Sequence, residues 1–281
     1  MLALAAGMTA PAAHGADDAA FRIGMVAEGG SDRSVAGLSV IRTAFARATG
    51  KPVQVFVARD YAALIEAQLF GRLDYAIYSA PAYAAASRRC GCLRPVVAPV
   101  DADGAVGVRS VLIARRGSAE PARIAIGPAD SLTGRLVPLS AWPQAQAAQD
   151  LFVEAASASA AEQMFLDGEV DAFFGWVPAW RKGDDEVPGG GSLRRLAAAG
   201  IAAGDIEIRW RSQVLRYGPH AVHADFDERQ SETLARMLRQ AAVEQPDLHL
   251  YLERLHGGGF ESVSQGDYAA AIDALAVLAA P

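Results

Sequence analysis

The sequence predicts an α/β protein made of two similar lobes with a ligand cleft between them, and two observations carry that prediction. Helix-period and strand-period stretches alternate from Phe21 onward, the order that gives a mainly parallel sheet flanked by helices. One unit of the pattern recurs, with Gly71, Asp74 and Pro81 matched by Gly168, Asp171 and Pro178, each 97 positions later. A single recurrence of that length is too long for a solenoid unit and reads as a second lobe of the same kind.

Phe21 to Ala27 is the first strand, followed by a loop from Glu28 to Asp32. A helix over Ser39 to Thr49, ended by Gly50, leads to a β-branched strand over Val53 to Ala58. The stretch from Arg59 to Tyr83 organises the rest. In it Tyr61, Leu64, Ile65, Gln68 and Leu69 share a face at helical spacing, and Gly71 ends the helix. Leu73 to Tyr78 then reads as a buried strand stopped by Ser79 and Pro81. Ligands of open α/β sheets bind beyond the carboxyl ends of the strands, which makes Glu28, Tyr61, Tyr78 and Ser79 candidate contacts. Leu93 to Val100 continues the sheet, Asp101 to Gly104 is a turn, and Ser110 to Arg115 is a further strand.

The crossing into the second lobe is expected near Arg115 to Ala119, so lobe 1 comprises residues 19–115 and 212–281, and lobe 2 residues 116–211. Arg123 to Gly127 opens lobe 2 as a strand, and Pro128 to Gly134 leads into a helical run from Arg135. Hydroxyls and exposed N–H groups at such a helix start suit an anion, which the helix dipole also favours; an ordinary Asp or Ser N-cap is the plainer reading. Asp150 to Val153 is a short strand, and Ser157-Ala158-Ser159 is a second helix entry. The strand Val170 to Gly175 ends at Trp176, which stands where Ser79 stands in the first unit, either as an apolar wall or as core. Asp205 to Arg211 is a strand returning toward lobe 1, and two crossings permit hinge closure. Helices over Asp227 to Glu244 and Asp267 to Ala279 cover lobe 1.

A chain of 281 residues, 52% hydrophobic and 21% charged, buries a full core, and a net charge of -6 argues against a broad nucleic-acid surface. Residues 1–16 are small and apolar, like the core and cleavage site of a secretory signal, although the basic start of such a signal is absent; a flexible tail or helical cap is the alternative. In an exported protein Cys90 and Cys92 can close a tight disulfide across Gly91, and no further Cys or His lies near enough in sequence to suggest a metal. His220, His223, His249 and His256 are scattered and form no visible acid/base pair.

Several segments together resemble the phosphonate-binding proteins of bacterial ABC importers, within the type 2 periplasmic binding fold. They are Thr49 to Val53, Asp60 to Ala67, Gly71 to Ala76, Asp103-Gly104 followed by Ser110 to Arg115, Ser131 to Gly134 ahead of Leu136 to Pro138, Gly168 to Asp171, and Ser212 before Pro219. The resemblance implies that Tyr61, Tyr78, Ser131 and Thr133 surround an oxyanion, with Ser79 and Glu28 added by topology. It also implies export to the periplasm, a monomer, delivery of the ligand to an ABC permease, and no cofactor, metal or nucleic acid. Two departures matter. Leu132 stands where the family commonly carries a hydroxyl, and Ser157-Ala158-Ser159 stands where many members carry a histidine. Ser157 or Ser159 then substitutes for the histidine, or the ligand is a different organic anion. A sensor with the same cleft is a further reading. An enzyme is disfavoured because no nucleophile, base or metal cluster is legible.

Overall fold

The computed structural model describes residues 20–26, 37–181 and 190–276. Glu28, residues 1–16 and the end of the last expected helix lie outside them. In chain order the strands are β1 (Phe21–Val26), β2 (Val53–Ala58), β3 (Tyr75–Ile77), β4 (Leu93–Pro99), β5 (Gly107–Arg115), β6 (Ile124–Ile126), β7 (Phe152–Glu154), β8 (Ala172–Ala179), β9 (Ile206–Arg211), β10 (Leu215–Arg216), β11 (His220–His223) and β12 (Phe260–Ser262). The α-helices are α1 (Leu38–Thr49), α2 (Tyr61–Leu69), α3 (Ala80–Cys90), α4 (Val137–Ala141), α5 (Ala158–Leu166), α6 (Gly191–Ala198), α7 (Glu228–Glu244), α8 (Pro246–Leu252) and α9 (Ala269–Ala274). A π-helical turn, Leu132–Leu136, runs directly into α4.

The described residues form two sheets. The first has the order β12-β4-β11-β3-β1-β2, with β1 parallel to β2 and β3 and with β11 antiparallel to β3 and β4. The second has the order β10-β5-β8-β6-β7, with β6 parallel to β7 and β8, and with β9 antiparallel to β5. This is the two-lobed α/β architecture, each lobe a mixed sheet with helices. One boundary differs from expectation: β5 belongs to the second sheet, so the first crossing lies between β4 and β5, ahead of Gly107 and not at Arg115. Likewise β9 stays in the second sheet beside β5, and the chain returns only after β10.

The repeat proves to be a device for joining a helix to a sheet. Gly71 and Gly168 adopt left-handed φ angles of 64° and 74°, which reverses the chain after α2 and α5. The aspartate three residues on then fixes the neighbouring strand. Asp74 Oδ2 accepts the backbone N–H of Arg22 in β1 at 2.8 Å, and Asp171 Oδ2 accepts those of Ala122 and Arg123 ahead of β6 at 2.9 Å each. Asp74 N–H and Asp171 N–H each return a bond of 2.9 Å, to the carbonyls of Arg22 and Arg123. These residues serve construction and leave the opposite edge of each sheet for a ligand.

Strand alternation sorts the first core into two layers. Tyr75 packs with Phe21, Phe45 and Leu234 on one face of β3, whereas Ala76 and Tyr78 pack with Leu64, Leu73, Tyr83 and Tyr268 on the other. In the second lobe Phe165, Phe173, Val177 and Leu196 fill one face, and Phe174 with Ile124 and Ile126 the other. Glu162, only 5% exposed, is held there by Ser192 and by two nitrogens of Arg195, so its buried charge is paired. Cys90 and Cys92 are joined by a disulfide at the end of α3.

Candidate ligand site between the lobes

The carboxyl ends of β2 and β3 deliver the chain into the N-termini of α2 and α3 at one edge of the first sheet. Asp60 caps α2, accepting the Ala63 N–H at 2.8 Å, and Ser79 caps α3, accepting the Ala82 N–H at 3.3 Å. At the matching edge of the second sheet, Ser131 Oγ accepts the Gly134 N–H at 3.1 Å after β6, and Ser157 Oγ accepts the Ala160 N–H at 3.0 Å after β7. A serine that accepts at a helix cap keeps its own O–H to donate. Such hydroxyls, beside exposed backbone N–H groups, offer donors to whatever stands beyond them.

A cavity of about 440 Å³ lies between the lobes. Tyr61, Tyr78 and Ser79 line it from the first lobe and Leu132 from the second, closed in by Val108, Leu215, Arg216 and Tyr217 near the return crossing. Tyr61 is 38% exposed, and burial of the remainder pushes its phenol above the usual range, opposed by hydrogen bonding to Ser79. Tyr61 is therefore a neutral donor at the cavity mouth. Tyr78 is buried to 3% exposure, stacked edge-on to Tyr83, and burial raises its phenol further. Its hydroxyl is buried and has no hydrogen-bond partner among the described residues.

Among the described residues, the remaining expected contacts do not line this cavity. Ser131 and Thr133 flank Leu132 on its rim, with the Thr133 carbonyl taken by Ser110 Oγ at 2.6 Å. Ser157 and Ser159 are exposed at the start of α5. Trp176 is not a strand-end residue, because β8 continues through it to Ala179. Its ring is half-buried beneath the Arg195 guanidinium, 5.3 Å from the centroid, and so supports α6. Sequence reading missed Arg216, Tyr217 and the segment from Tyr251 to His256, all of which border the cavity. Their positions depend on the return crossing and on the turn after α8, for which the local sequence carries no ligand signal. Among the described residues no group of three or more His, Cys, Asp or Glu is placed to hold a metal, and no helix is long and apolar enough to cross a membrane.

Two α/β lobes joined by two crossings, with helix starts aimed into a cavity between them, define a solute-binding protein of the type 2 periplasmic class. Residues 23–268 match the family described as the periplasmic phosphonate substrate-binding protein of ABC transporters, and the chain belongs to that family. Among solved structures, the chain is similar to XAC2383 from Xanthomonas citri bound to ATP, at 16% identity and a TM-score of 0.60, covering 93% of this chain and 98% of that one. PhnD1 from Prochlorococcus marinus in complex with methylphosphonate aligns at 13% identity and a TM-score of 0.52, again over 93% and 98% of the two chains. At these identities the likeness is one of fold. No curated protein matches the chain.

Proposed function

We propose that the chain captures a small organic oxyanion, a phosphonate or a close relative, in the interlobe cavity and delivers it from the periplasm to an ABC permease. The observation that carries this reading is the donor-rich wall formed by Tyr61, Tyr78 and the Ser79 cap, facing Leu132 across a cavity of about 440 Å³. Neutral O–H and N–H donors satisfy a buried oxyanion, and hydrogen bonds to a charged group are the strong ones. Volumes of roughly 300–1,000 Å³ suit ligands larger than a bare ion. Together with Leu132, Val108 and Leu215, the size favours an anion with an apolar portion. Closure of the lobes brings the hydroxyls of Ser131, Thr133, Ser157 and Ser159 on the second edge toward the same head group.

The test is a thermal-shift screen of the full chain against methylphosphonate, phenylphosphonate, phosphate and methanesulfonate, with amino acids and sugars as controls. A ligand at a hundred times its Kd stabilises the folded form by about 2.7 kcal/mol, a clear rise in midpoint. A rise with a phosphonate supports the reading. A rise only with a sugar or amino acid, or none at all, rejects it.

A further inference from the structure

Within the cavity wall, the charged residues Arg216, Glu253 and Arg254 have no counterpart among the expected contacts. Arg216, in β10, lines the cavity with a side chain only 10% exposed. Its guanidinium gives one terminal nitrogen to Glu261 of β12, in the other sheet, and Glu261 also holds Arg181. The Nε–H of Arg216 is buried and has no acceptor among the described residues. A buried N–H of a cation without an acceptor is costly and rare, so its position calls for one.

Two guanidiniums share the single Glu261 carboxylate, with the Asp267 charge also favouring the Arg216 cation. The nearby carboxylates do not supply the missing acceptor. Asp267 is engaged by the backbone N–H and hydroxyl of Ser264, Asp101 by Tyr217 and His256, and Glu253 accepts the backbone N–H groups of Leu255 and His256. Burial also lowers the pKa of Arg216, the mark of a charge short of solvation. A guanidinium remains charged under these conditions, and the strongest acceptor for its open Nε–H is an anion.

We propose that Arg216 is the charge-bearing contact of the site, donating its Nε–H to the anionic head group of the ligand while Glu261 fixes the guanidinium plane. This rests on the oxyanion reading given above and deepens it: the ligand must carry at least one full negative charge, and its uncharged ester does not bind. Because Glu261 belongs to the opposite sheet, the contact also lies where the two lobes meet.

Titration calorimetry of the full chain with methylphosphonate, phenylphosphonate and neutral dimethyl methylphosphonate tests this, using Arg216→Gln and Glu261→Gln. Arg216→Gln is expected to weaken phosphonate binding roughly tenfold or more, the loss of a charge-assisted hydrogen bond. Glu261→Gln is expected to weaken it by less than Arg216→Gln does, since the guanidinium plane is held less firmly but the cation and its Nε–H remain. Equal weakening in both variants would mean that Arg216 acts only through the lobe contact, and unchanged affinity in Arg216→Gln would remove it from the site; either result overturns the inference and leaves the oxyanion reading standing. Binding of the neutral ester as tightly as the anion overturns it as well. If the unaltered chain binds none of the phosphonates, the oxyanion reading falls and the inference falls with it. Should Arg216→Gln fail to fold, Arg216→Lys keeps the charge without the Nε–H fork; it is expected to bind more weakly, and equal binding overturns the proposal.

Discussion

Replacing Tyr61 by Phe isolates one donor of the proposed site. The ring stays and with it the packing at the start of α2, while the hydroxyl beside Ser79 is lost. A hydrogen bond to a charged group contributes about 1.5–3 kcal/mol. Tyr61 is 38% exposed, so water competes for the hydroxyl and the lower end applies, about 1–1.5 kcal/mol. That corresponds to roughly a five- to tenfold rise in Kd. Ser79 keeps its bond with Ala82 N–H, so α3 remains capped and stability changes by less than about 0.5 kcal/mol. Calorimetry with methylphosphonate, alongside urea unfolding of both proteins, separates the two effects. An unchanged Kd in a fully folded Tyr61→Phe protein would refute the placement of the anion at this edge. A loss of affinity matched by a large loss of stability would assign the hydroxyl to the fold instead.

Three further expectations concern the framework. Gly71→Ala and Gly168→Ala each place a side chain at left-handed φ with nothing within 4 Å of the new Cβ, so each costs only the backbone term, about 1 kcal/mol, and the double variant about twice that; urea midpoints that do not move would contradict the turn assignment. His220, bonded to Tyr75 and near His249, has its pKa lowered to about 3 by burial. The unfolded chain takes up this proton near pH 6.5 and the folded chain does not, so stability is full above about 6.5 and falls as pH drops toward about 3. A His220→Gln variant therefore shows a shallower fall over that window, and an unchanged slope would place the titration elsewhere. Reducing the Cys90–Cys92 bond, which closes a very short loop, costs roughly 1–2 kcal/mol by chain entropy, read as a lowered midpoint under reductant.

Much of the architecture was legible because local signals and the fold agree. Gly71 and Gly168 both close helices, Asp74 and Asp171 both pin a strand, and Tyr61 and Ser79 emerge at the edge where parallel strands end. The parts that were not legible have definable causes. Gly107–Arg115 is apolar enough for either sheet, and only its pairing with β8 and β9 assigns it to the second. Pro178 reads as a strand stop, yet β6 pairs with β8 only at Ala172 and Phe173, so at Pro178 that side of β8 is an edge where the missing N–H is harmless. That extension carries Trp176 away from the position equivalent to Ser79. Arg216 was invisible because its role depends on Glu261, 45 residues further along and in the other sheet.

A crystal structure of the chain with methylphosphonate decides where the anion sits. The phosphonyl oxygens are expected in the interlobe cavity, within hydrogen-bonding reach of Tyr61, of the Ser79 helix start and of Arg216 Nε, with the second-lobe serines drawn in around them. A phosphonate bound at any other surface, or an interlobe cavity without it at saturating concentration, would contradict the account.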